Sequence, residues 1–142
     1  MKALLANARL YYAISLLSVV LAVAGFSYNT WRLEVSEENN TVRTAAFEIF
    51  EHLAEFEHII YSAHYDKNVL EGSPRKAWVK VGLVADLSVL MSGNVQEHSA
   101  QLTRLWQEHW QHISTNEQSV NLLILQIDKI RSAIKEELIS LS

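Results

Sequence analysis

The sequence predicts an all-α protein in which one N-terminal transmembrane helix leads into an antiparallel four-helix bundle outside the cytoplasm. Three observations carry this. An uncharged run, Leu10 to Trp31, is long enough to cross a bilayer. The 142 residues contain only one proline and four glycines, and no strand-like alternation interrupts the chain. Beyond the run, apolar residues recur at helical spacing in segments separated by capping signals.

The run reads LYYAISLLSVVLAVAGFSYNTW and is bounded by Arg9 and Arg32. At about 1.5 Å per residue it makes roughly 33 Å of helix, against a hydrocarbon core of about 30 Å. Tyr11 and Tyr12 at one end and Tyr28 and Trp31 at the other suit the membrane–water boundary. Lys2 and Arg9 precede the run, whereas Glu34, Glu37 and Glu38 follow it. By the positive-inside rule, residues 1–9 are expected in the cytoplasm, 10–31 in a bacterial inner membrane and 34–142 in the periplasm. Ala22-Val23-Ala24 also matches a small-residue cleavage site, so the alternative is secretion to the periplasm after cleavage near Ala24.

Residues 33–142 hold nine basic against sixteen acidic side chains. An acidic domain lacks the basic footprint of nucleic-acid binding, and that class is set aside. The chain has no cysteine, which excludes disulfides and thiolate metal sites.

The first helix of the outer part is expected near 34–66. Val42, Ala46, Ile49, Leu53, Phe56, Ile60 and Ala63 are spaced 4, 3, 4, 3, 4, 3, a heptad seam. Val35 lies on the same seam, with polar Asn39 between it and Val42. Ser73-Pro74 opens a second helix, expected over 74–92, with proline where its missing N–H costs nothing. Gly93 then reads as a helix stop and Asn94 as the next cap, with Glu97 positioned to bond back, giving a helix over 95–113. Thr115-Asn116-Glu117-Gln118 repeats the capping pattern before a helix over 116–141. Its seam is Val120, Leu123, Ile127, Ile130, Ile134 and Leu141, widened by Ile124 and Leu138. Short loops make antiparallel neighbours. The alternative is a three-helix coil in which residues 74–113 form one kinked helix.

The second helix is apolar on nearly every side from Val81 to Met91, with Asp86 its only charge. A helix apolar all round is expected to be buried all round. Val81, Leu83, Val84, Leu87, Leu90 and Met91 are therefore the candidate interface, for a homodimer or for a partner protein of a membrane complex. Buried there, Asp86 would need a cationic partner.

Six histidines raise a metal hypothesis. Glu55-Phe56-Glu57-His58 has the Glu-x-x-His spacing of di-iron bundles, but only once. Helical phase also puts Glu48, Glu51, Glu55 and His58 on the outer face. His98, His109 and His112 lie along one edge of the third helix. With His52 across the bundle they form a candidate metal or pH-sensing set. Trp78, Trp106 and Trp110 are a candidate ligand pocket. No metalloprotease, nucleophile-elbow, phosphate-loop or cysteine-nucleophile motif is present, and no cofactor is implied. The expected function is a non-enzymatic, membrane-anchored accessory or scaffold subunit. The alternative is a ligand- or metal-binding sensor module built on the histidine edge and tryptophans.

Overall fold

The computed structural model describes residues 2–141, and among these it contains four α-helices and no strand. They are α1 (Lys2–His64), α2 (Pro74–Ser88), α3 (Gly93–His109) and α4 (Glu117–Ser140). The chain divides into two compact units, Met1–Asn39 and Asn40–Ser142.

The first unit lies within α1, the one helix among the described residues long and apolar enough to cross a membrane. Every residue from Tyr11 to Glu38 is exposed, including Leu21, Phe26 and Trp31. Two of its hydroxyls bond within the helix. Ser18 Oγ donates to the Ile14 carbonyl at 2.9 Å, and Thr30 Oγ1 to that of Phe26 at 3.0 Å. That pairing removes the cost of carrying these two groups in an apolar medium. The expected separation between a membrane segment and a first outer helix is absent, because α1 runs through both. No glycine or proline lies between Gly25 and Gly72, and Arg32, Glu34, Glu37 and Glu38 are good helix formers.

The second unit is built around the expected seam. Ala46, Ile49, Leu53, Phe56, Ile60 and Ala63 of α1 are buried. Ala45 and Ile59 widen the stripe, whereas Val42 is half-buried and Val35 exposed, so the core begins near Val42. From α4, Val120, Leu123, Ile127, Ile130 and Ile134 close the opposite side. Trp106 of α3 sits between the sequence-distant helices, wholly buried. Its ring meets Phe56 of α1 at 5.1 Å and Trp78 of α2 at 6.1 Å, both edge-on.

Cross-contacts fix the direction of each neighbour. Arg43 donates to the Leu141 carbonyl, while Glu57, further along α1, pairs with Arg131, earlier in α4. Positions rise on one helix as they fall on the other, so α1 and α4 are antiparallel. The same holds for α3 and α4, where His98 meets Gln126 and His109 meets Ser119. On α1 and α2, Glu55 pairs with Lys80, and Glu48 lines one cleft with Leu87.

Three boundaries differ from expectation. The chain reverses between α2 and α3, which excludes residues 74–113 as one helix. Leu90 N–H and Met91 N–H bond three residues back, to Leu87 and Ser88, tightening the end of α2. The cap of α3 is Ser92 rather than Asn94. Its backbone N–H donates to both oxygens of Glu137, at 2.9 and 3.1 Å, so a carboxylate from α4 sits at this helix start. Gly93 is the first residue of α3, with no left-handed backbone. At the far end α3 stops at His109, and residues 110–115 form turns. The capping segment of α4 stands where expected, but the cap is Asn116 rather than Thr115, its side chain accepting from Gln118 N–H and Ser119 N–H.

The α1–α2 loop is held tightly. Asn68 Oδ1 accepts from the N–H groups of Leu70 and Glu71, and Gly72 is buried against Ala63 of α1. A Cβ at Gly72 would lie 2.5 Å from the Ala63 Cα. Gly72→Ala is therefore expected to destabilise the chain by about 1–3 kcal/mol through overpacking. Gly82, exposed in α2 with nothing within 4 Å of its would-be Cβ, provides the contrast. Gly82→Ala is expected to stabilise by about 0.5–1 kcal/mol. Thermal unfolding of the detergent-solubilised chain reads both, and equal shifts of the same sign would contradict the close packing at Gly72.

Candidate functional site

The six candidate interface residues separate into two groups. Val81, Val84 and Met91 are at most 5 % exposed and belong to the chain's own core. Leu83 and Leu87 are half-buried, and Leu90 is exposed. The helix is thus not buried all round. Trp78, Val79, Val89 and Leu90 leave apolar surface open, and Asp86 faces solvent instead of needing a buried partner.

The histidine set is dispersed among different neighbours. His52 Nδ1 lies 3.2 Å from Glu55 on α1. His98 stands beside Gln126, whose Nε2 donates to the His98 carbonyl at 2.8 Å. His109 Nδ1 is 3.0 Å from the buried Ser119 hydroxyl. His112, beyond the end of α3, is exposed in the turn, where its backbone N–H donates to the His109 carbonyl at 2.9 Å. Among the described residues no group of three metal-ligating side chains converges. Glu48, Glu51, Glu55 and His58 are all exposed on α1.

The tryptophans do not form one pocket either. Trp106 is core, and Trp78 packs on it with one face exposed. Only Trp110 lines a cavity, of about 360 Å³, where the α1–α2 loop meets the α3–α4 loop. Ala63, Val69, Pro74 and Ile113 share its walls, with Lys67 beside them. A second cavity of about 570 Å³ lies between α1 and α2, walled by Ala54, Ile59 and Val79 and ringed by charged side chains.

Two charge clusters tie α1 to its neighbours. Glu55 pairs with Lys80 of α2 and with His52, and those two bonds hold its carboxyl below the usual glutamate range. On the other side, Arg131 of α4 binds Glu57 at 2.7 Å, and the Tyr61 hydroxyl donates to Glu57 at 3.0 Å. Burial, and then this bond, push the ionisation of Tyr61 above the usual tyrosine range.

Sequence reasoning passed over Lys67, Asn68, Gln126 and the Glu57–Arg131 pair. The Asp66-Lys67-Asn68 run does carry a turn signal, since asparagine readily bonds backbone N–H groups two and three residues on. Nothing local marks Gln126, a lone amide on an otherwise apolar helix face. In comparisons with known proteins, no family model, no curated protein and no solved structure matches the chain.

The Glu55 cluster has a pH signature. A carboxyl with a lowered folded-state pKa stabilises the fold above its unfolded value, near 4.5. That contribution is lost as pH falls through the lower folded value. Because Glu55 is partly exposed, it is worth less than about 1 kcal/mol. Lys80→Met is expected to flatten the stability–pH curve below pH 4.5 relative to the unmodified chain, measured by urea unfolding across the acid range.

Proposed function

We propose that this chain is a non-enzymatic, membrane-anchored accessory subunit that works through helix–helix contacts of its C-terminal unit. The observation that carries the reading is the unbroken exposure of apolar residues from Tyr11 to Leu33 within one helix, beside a second unit with its own closed core. Such a segment is costly in water and stable in lipid. Charge then supports an orientation, with Lys2 and Arg9 inside and the acidic unit in the periplasm.

The apolar surface left by Trp78 and Val79 on α2 and by Val89 and Leu90 just after it supports protein contact, with a second copy or another membrane protein as the partner. The absence of nucleophile, phosphate-loop and metalloprotease motifs agrees with a non-enzymatic role.

The anchor is tested by alkaline extraction of membranes together with N-terminal sequencing. The chain is expected to stay in the membrane pellet with Met1 at or near its terminus. Added protease is expected to degrade residues beyond Arg32 only once the outer compartment is opened. Release to the soluble fraction with a new terminus at Gly25 would establish the cleaved-signal alternative instead.

A further inference from the structure

Among the surface cavities of the second unit, three carry mixed charges, one carries a carboxylate alone, and one is apolar with a single cation. In the cavity between α1 and α2, Lys80 is paired with Glu55 and Lys76 with Glu71, so an anion entering there must displace a carboxylate. The two clefts between α3 and α4 set Lys129 beside Asp128 and Glu136, or beside Glu97. The cleft near Asn40 has Glu48 and no cation. The cavity at the paired loops is different. Val69, Pro74, Trp110 and Ile113 make apolar walls, Lys67 supplies the one charge, and no carboxylate lines it.

The geometry points to a binding site for a small organic carboxylate with an apolar body. The walls are preformed. Asn68 holds the Leu70 and Glu71 N–H groups, and the Gly72 N–H donates to the Asn68 carbonyl at 2.8 Å, pinning one side of the cavity. Gly72 against Ala63 fixes its floor to α1. Lys67 is the only described non-glycine residue with a left-handed backbone, φ 51°, a conformation that costs roughly 1–2 kcal/mol. In that conformation its Nζ reaches the Ser114 carbonyl on the facing loop. An ammonium has three N–H donors, and this contact uses one. Lys67 also lines the apolar cavity, so its remaining donors are available to a carboxylate oxygen there, which would gain a charge-assisted bond. Trp110, among the lining residues, supplies aromatic surface against which a ring can pack. At about 360 Å³ the chamber is near the small end of ligand sites, which suits one ring or a short aliphatic chain. The site lies wholly within residues 63–114 and does not rest on the anchoring proposal.

The test uses the full chain in lipid nanodiscs, with empty nanodiscs subtracted, and calorimetric titration of benzoate, hexanoate and indole-3-acetate. At least one is expected to bind saturably at one site per chain. Benzamide, the neutral analogue of benzoate, would test the charge requirement if benzoate is the ligand. If hexanoate or indole-3-acetate is the ligand, the corresponding amide takes that place. The neutral analogue is expected to bind about tenfold more weakly or not at all. Lys67→Met is expected to show the same loss, Lys67→Arg to retain binding, and Val69→Trp to abolish it by filling the chamber. Circular dichroism confirms that each variant is folded. Three results overturn the proposal: no saturable carboxylate binding to the folded chain, equal affinity for acid and amide, or undiminished binding in Lys67→Met.

Discussion

Closing water out around Trp106 is the constraint on which the second unit depends. The indole is the largest wholly buried side chain, and it touches Phe56 from α1 and Trp78 from α2 while standing on α3. Trp78 could not reach it unless the chain turned back between α2 and α3. The α4 residues Leu123, Ile127, Ile130 and Ile134 complete the enclosure. Trp106 Nε1 and the buried Ser99 hydroxyl make no hydrogen bond to the protein, a cost the apolar burial around them must exceed.

Polar groups collect at the edges of this core, and there they set register. Arg131–Glu57–Tyr61 locks α4 to α1, Glu55–Lys80 locks α2 to α1, and Gln126 locks α4 to the His98 carbonyl. Each pair is modest in energy because it is at least partly solvated or neutral. Their value is geometric, since apolar stripes alone tolerate sliding by a turn. The Ser92–Glu137 contact does similar work at the α2–α3 turn, and Lys67 and His64 do so at the opposite end, each bonded to a carbonyl of the α3–α4 loop. The apolar cavity beside Trp110 lies where these bonds tie the two loops together, next to the buried Ile113.

Much of this arrangement was legible along the chain. The heptad seam of α1 is buried from Ala46 to Ala63, its acidic face is exposed, and α4 begins within one residue of its capping signal. These features are local: a spacing, a phase, a side chain bonded two or three residues on. The misreadings share another origin. Asn94 has the right chemistry for a cap, yet Ser92 takes the position, and a carboxylate forty-five residues away bonds its N–H. Val81 to Met91 reads as uniformly apolar, but the bundle has only enough partner surface for one face, so Val89 and Leu90 stay outside. The third helix reads as running to residue 113, whereas α3 ends at His109.

The sequence by itself determined the helical class, the apolar run near the N-terminus, the core stripes of α1 and α4, and the exclusion of cysteine chemistry. Those follow from composition and period, which need no neighbour to be defined. Packing, in contrast, settles which face of α2 is core, where the chain turns between α2 and α3, which neighbours His98 and His109 meet, and that Lys67 lines an apolar cavity without a carboxylate. Each of these depends on residues tens of positions apart meeting through packing, and no local pattern encodes that meeting.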